Sequence, residues 1–176
     1  MTSSAAKRKP TPRHEVQVES GLRDWIERHS GAGGAFYNNS HALNVAMLRP
    51  LDEYDFVEAQ CKARHIPFQP DRYWLIHAEQ LAATRPNERG NPHSRTVRTV
   101  DKLWGYLDAE LMARVRVHAE PDGPFASSNP VSHAIDFGFL RLRAAEVEGA
   151  VAGARFPLDG VALMAKYQSL AKTKNR

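Results

Sequence analysis

The densest collection of side chains suited to chemistry is RPNERGNPHS, residues 85–94, continued by Arg95 and Arg98. Arg85, Arg89, Arg95 and Arg98 stand against a single acid, Glu88, with His93 and Ser94 among them. Such groups ahead of a helix suit an anion, because arginine meets phosphate oxygens as a fork and helix N-termini present unpaired N–H groups. The same residues also make a solvated loop in which Ser94 or Thr96 caps the next helix, and both readings stay open. Two further groups of cations lie at the ends. Lys7, Arg8, Lys9 and Arg13 occur in the first fourteen residues, and Lys166, Lys172, Lys174 and Arg176 in the last eleven, with no acid in either stretch. The chain carries 24 Lys and Arg against 20 Asp and Glu, so removing those eight leaves Glu15 to Ala165 at about −4. The positive charge therefore belongs to the ends, where it either gathers polyanions through counterion release or keeps the chain soluble.

Catalysis has less to build on. None of the eight histidines belongs to H-E-x-x-H, and no two are spaced three or four apart. His77-x-Glu79 and His118-x-Glu120 carry the H-x-E half of a deaminase zinc signature, but its P-C-x-x-C half needs more than the one cysteine, Cys61. Ser132, His133 and Asp136 are close in sequence, yet adjacent residues of a helix point apart, and a capping serine with a dipole-matched acid explains them better than a triad. Cys61 and His65 read as a buried thiol and an exposed imidazole rather than an activated pair. The glycines of Gly31-Ala-Gly-Gly34 follow a helix instead of a strand, so they form a turn and no dinucleotide fingerprint. No catalytic residue, metal site or cofactor is assigned, and the expectation leans away from an enzyme.

The elements that would position the arginines are mostly helical. From Thr96 to Val117, Val97, Val100, Trp104, Leu107, Leu111 and Val115 recur at steps of three and four, widened by Leu103 and Met112, while Asp101, Asp108, Glu110 and Arg114 fall off the stripe. That spacing predicts one long helix with Trp104 in the core, the spine of the domain. Before it, Ser20 caps a helix that turns Leu22, Trp25 and Ile26 to one side and ends at Gly31. Ser40 opens HALNVAML, which Pro50 stops, with a strand over Val45–Leu48 as the alternative. Asp52 opens the next helix, its acids Asp52, Glu53 and Asp55 in the first turn and Lys62, Arg64 and His65 in the last, as the dipole favours. A short connection through Ile66-Pro67-Phe68-Gln69 leads to a helix begun by Pro70 and ended by Pro86. This pair reads as an αα-hairpin rather than a DNA-reading helix-turn-helix, since Pro67 stands where a glycine is usual and the second helix has few base-reading side chains. Asn129 and Pro130 begin another helix, although the alternation in FGFLRLR leaves residues 135–143 open to strand. Pro157 and Asp159 begin the last.

The expected fold is mainly α: a single compact domain of about six or seven helices, with room for one or two short strands. Its expected limits are a disordered basic arm over 1–16, a globular body over 17–166 and a basic tail over 167–176. No apolar run approaches the ~20 residues a membrane span needs, and the N-terminus lacks the apolar segment of a secretory signal. High Ala and Arg with one Cys suits a cytoplasmic, bacterial protein. Two functions follow. One is a small accessory protein acting on or near nucleic acid, with Lys7, Arg8, Lys9, Arg85, Arg89, His93, Arg95, Arg98, Lys172 and Lys174 on phosphates. The other is a protein-binding adaptor or inhibitor without nucleic-acid contact.

Overall fold

The computed structural model describes residues 12–19, 21–71, 73–76, 100–119, 125, 129–147 and 158–173. In chain order these form β1 (His14–Glu19), α1 (Leu22–Arg28), α2 (Asn39–Ala63), a helical stretch through 70–71 and 73–76, β2 (Val100–Gly105), α3 (Ala109–Val117), α4 (Pro130–Val147) and α5 (Gly160–Thr173). The protein is mainly helical, with one small antiparallel sheet of β1 and β2 among the described residues. No described helix is long and apolar enough to cross a membrane.

The organising element is α2, not the stretch from Thr96 to Val117. At 25 residues it extends over roughly 38 Å at 1.5 Å per residue, and it packs against α1, β2, α3, α4 and α5. Its first half contributes Ala42, Leu43, Ala46, Met47 and Leu51 to a core shared with β1, α1, β2, α3 and α4. Its second half gives Val57 and Cys61 to a smaller core with Tyr73, Ile76, Leu163, Met164 and Tyr167. Phe56 meets Gly160 near the start of α5, and the Tyr167 hydroxyl accepts the N–H of Gln69 beyond the end of α2 (2.8 Å). Hence α5 runs alongside the C-terminal half of α2 in the same sense.

The expected stop at Pro50 does not occur. Pro50 lies inside α2, so the two expected helices are one, and Asp52, Glu53 and Asp55 lie mid-helix instead of complementing a helix start. A proline there removes the N–H that would bond to the Ala46 carbonyl and costs ~3 kcal/mol in an isolated helix. Burial on both sides offsets that cost: Ala46, Met47, Pro50 and Leu51 are all in the interior. The Pro50 carbonyl in turn accepts the Tyr73 hydroxyl at 2.8 Å. The cap is Asn38, whose side chain accepts from His41 N–H, rather than Ser40.

The expected spine is likewise two elements. Val100–Gly105 is a strand and Ala109–Val117 a helix capped by Asp108, whose Oδ1 accepts from Glu110 N–H (2.9 Å) and Leu111 N–H (3.0 Å). The partner strand begins at His14, so residues 14–16 pair in the sheet rather than belonging to an arm. Val16 faces Leu103 and Val18 faces Asp101, while Glu15 opposes Trp104 on the outer side. Trp104 is therefore 49% exposed, and its assignment to the core is corrected. Gly105 explains the change of structure. It weakens a helix by ~1 kcal/mol relative to alanine, and here its bare Cα lets β2 lie on α2, where an added Cβ would approach Leu43 Cδ1 to 2.7 Å.

The expected Ser20 cap of α1 is corrected: the N-cap is Gly21, with no side-chain cap hydrogen bond, while the other local readings hold. α1 buries Leu22, Trp25 and Ile26, starting after Gly21 at φ 85°. Gly31 at φ 103° follows it, as expected of a glycine past a helix end. The region 135–143 is helical within α4, and Asp159 caps α5 by accepting from Val161 and Ala162 N–H. The last helix continues to Thr173, past the point where the basic tail was expected to begin.

Candidate functional site

Lys7, Arg8, Lys9, Arg85, Arg89, His93, Arg95, Arg98 and Lys174 lie outside the described residues, and Lys172 belongs to the last turn of α5. Their points of attachment are nevertheless fixed by the elements they adjoin. The N-terminal arm leads into β1 at His14, which pairs with Gly105, whereas the arginine-rich stretch leads into β2 at Val100, which pairs with Glu19. The two therefore reach opposite ends of a six-residue ladder, about 17 Å apart at 3.4 Å per residue. The C-terminal tail continues from α5, whose Tyr167 lies beyond the far end of α2 against Gln69.

At the His14 end, Tyr37 and Tyr106 flank the first turn of α2, and Trp104 stands two residues before Tyr106 on β2, all three exposed. Tyr106 follows β2, and its backbone is pinned there: its N–H donates to Ser40 Oγ (2.9 Å) and its carbonyl accepts from Asn44 Nδ2 (2.9 Å). Asn44 Oδ1 takes the Asp108 N–H at 2.8 Å, fixing the turn into α3. Tyr37 stacks on His41 with ring centres 4.6 Å apart at 28°, and Tyr37 N–H donates to His41 Nδ1 (3.1 Å), so that nitrogen carries the lone pair. The Arg13 guanidinium stands 5.8 Å over the Tyr106 ring, within cation–π range. Trp104, two residues before Tyr106, projects outward from β2, and the carboxylate opposite it, Glu15, is paired with Lys102 at 2.9 Å. Flat rings, a cation and a neutralised acid can take up planar groups joined by negative charge.

A second polar cluster lies between α2 and α4. Glu53 is fully buried and accepts from Arg49 Nε (2.7 Å) and Arg141 Nε (2.8 Å) on separate oxygens. Burial, reinforced by the charge of Glu53, pushes the Tyr73 phenol well above its ordinary 10.0, so the hydroxyl keeps the proton it donates to Pro50. Closer to the surface, Arg114 of α3 reaches Asp55 (2.8 Å) and Asp52 (3.8 Å) of α2. Partial burial raises the Asp52 carboxyl from its ordinary 3.8 against the pull of Arg114. Partial burial also lowers the His118 imidazole from 6.5, with Asp55 opposing; its ring lies 4.8 Å from Tyr54 and 6.0 Å from Trp74. These contacts tie helices together.

The other sequence candidates resolve into structural roles. Ser132 Oγ accepts the Gln17 N–H (3.3 Å), joining α4 to β1, and the His133 ring lies 4.5 Å from Phe137. Cys61 is a buried free thiol, with His65 exposed beyond the helix end. Among the described residues no group of three His, Cys, Asp or Glu side chains is disposed to hold a metal. A groove of about 420 Å³ lies between α2 and α5, lined by Phe56, Gln60, Arg64, Val161, Met164 and Gln168.

Sequence reasoning missed Tyr37, His41 and Tyr106 and misassigned Trp104. The available signals were the alternation of Val16 and Val18 in HEVQVE and the glycine at 105, which together mark a strand and turn Trp104 outward. No protein-family model, curated protein or solved structure matches the chain.

Proposed function

We propose that this chain is a small cytoplasmic accessory protein that binds nucleic acid, led by its basic N-terminal segment. The observation that supports the reading is a cation, Arg13, set over an exposed ring at the end of the basic N-terminal segment. Arg13 stands over Tyr106 beside Trp104, and Lys9, Arg8 and Lys7 lie four to six residues ahead of Arg13. Six residues span at most ~20 Å, so those lysines and arginines stay within reach of any phosphodiester held at the aromatic patch. The body between the termini is mildly acidic, so attraction comes from the ends and from local pairing rather than from a broad positive field.

Binding of this kind is weakly dependent on sequence and steeply dependent on salt, with a slope of about 0.9 per phosphate neutralised on duplex DNA. The test is fluorescence anisotropy with labelled duplex DNA, single-stranded DNA and RNA at two salt concentrations. Deleting residues 1–11 should weaken binding more than deleting residues 174–176, because only the former lead into Arg13, which stands over Tyr106. Arg95→Ala with Arg98→Ala should flatten the salt slope by about 1–2 units. No binding at low salt would overturn the reading. A protein-binding adaptor would then come forward, for which the groove between α2 and α5, with Val161 exposed at its rim, offers a surface.

A further inference from the structure

Resting on the nucleic-acid reading, we infer that Tyr37, Trp104 and Tyr106 form a stacking site for unpaired nucleobases, so that the ligand is single-stranded nucleic acid. The first ground is exposure. Among the described residues, the large aromatic side chains left exposed are these three, at 68%, 49% and 50%; Tyr37 directly precedes the Asn38 cap of α2, Tyr106 bonds to Ser40 in its first turn, and Trp104 lies two residues before Tyr106 in β2. The remaining exposed large side chains, Leu75, Val117, Leu158 and Val161, are aliphatic.

The second ground is preorganisation. Tyr37 is backed by the His41 ring, Tyr106 is tied to Ser40 and Asn44 through both its N–H and its carbonyl, and Trp104 is set in the ladder opposite Glu15. The Tyr37 ring is held by its stack and the backbones that carry the other two are fixed, which lowers the ordering cost when a planar ligand covers them. Trp104 and Tyr106 are two residues apart, so their backbones are ~7 Å apart, about twice the 3.4 Å repeat of stacked bases.

The third ground is charge. Arg13 lies over Tyr106, and Lys102 pairs with Glu15 beside Trp104, so that carboxylate repels a phosphate less. Unpaired bases offer faces to aromatic rings, whereas a duplex hides them in its own stack. Rings flanked by cations therefore select a single strand, and aromatic stacking supplies the part of the affinity that salt does not remove.

The experiment uses the full chain with a twelve-residue oligothymidylate and a duplex of equal length at one salt concentration, read by anisotropy and tryptophan quenching. The single strand should bind at least tenfold more tightly and quench fluorescence. Trp104→Ala and Tyr106→Ala should each weaken it roughly tenfold with an unchanged salt slope, since neither carries charge. Tyr37→Ala, in the turn before α2 and apart from β2, should do the same, which covers any failure of a β2 variant to fold; Val161→Ala on α5 should change nothing. Equal affinity for both oligonucleotides, with the ring variants unaffected, would overturn the stacking site while leaving nucleic-acid binding intact. Absence of binding to either would overturn both readings. Ring variants that change only the sedimentation of the protein would overturn it too, by assigning the patch to a second copy of the chain.

Discussion

At the scale of single residues, Glu53 is the most consequential side chain. It is fully buried, and Arg49 and Arg141, both largely buried, each donate to one of its oxygens. A carboxylate alone there would be prohibitively costly, but two charge-assisted hydrogen bonds satisfy it and link α2 to α4. Removing its charge leaves two guanidinium groups facing each other away from water. Glu53→Gln should therefore cost about 3–5 kcal/mol, read as a lower urea midpoint at an unchanged slope. The comparison is Glu27→Gln in the exposed Arg23–Glu27 pair of α1, worth at most ~0.5 kcal/mol. Similar shifts in the two variants would mean that the triad is not what ties the helices.

At the scale of elements, the crossing of α2 and α4 depends on Gly138 lying against the Ala46 carbonyl, where a methyl group would overlap backbone atoms. Ala46 is four residues before Pro50, whose missing N–H leaves that carbonyl without its helical donor. Cα–H groups at close helix crossings make weak contacts with such oxygens, so the proline and the glycine fit one another across the two helices. Gly138→Ala forces backbone from backbone. It should destabilise by about 2–3 kcal/mol even though alanine favours helix by ~1 kcal/mol. Gly160→Ala meets only the Phe56 ring, which can rotate aside, and should stay within about 1 kcal/mol of the parent in thermal denaturation. Equal losses would place the tight crossing elsewhere.

At the scale of the whole molecule, α2 is an axis with different attachments at its two ends. The N-terminal segment joins β1 beside the aromatic patch, and α5 carries the C-terminus toward the opposite end. The limits of the folded unit follow from what those ends bury. Tyr167 is buried, with its hydroxyl on Gln69 and its ring 6.0 Å from Phe68. A chain of residues 12–173 should melt in one cooperative transition close to that of the full chain. A chain ending at Lys166 loses Tyr167 and should be destabilised by at least ~3 kcal/mol, the scale of removing a buried aromatic. Calorimetry of the two truncations decides it, and matching midpoints would show that the last turns of α5 contribute nothing.

Interactions within a few residues were legible in the sequence. The apolar face of α1, the Asn129–Pro130 opening of α4 and the Asp159 cap depend on atoms less than a helical turn or two apart, so residue type and spacing settle them. The placement of charge at the termini was legible too, because counting needs no fold. Three other features were decided only in three dimensions. The strand pair joins His14 to Gly105 across about half of the chain, and the pairing overrode a helical spacing that happened to run through two unrelated segments. Pro50 continues a helix because packing on both sides outweighs one missing hydrogen bond. Trp104 is a surface residue because strand geometry alternates sides, so a shift from period 3.6 to period 2 turned outward a ring that helical spacing had placed inside. The aromatic patch followed from that reversal: local sequence supplied its rings, and a partner strand about ninety residues away gave them their direction.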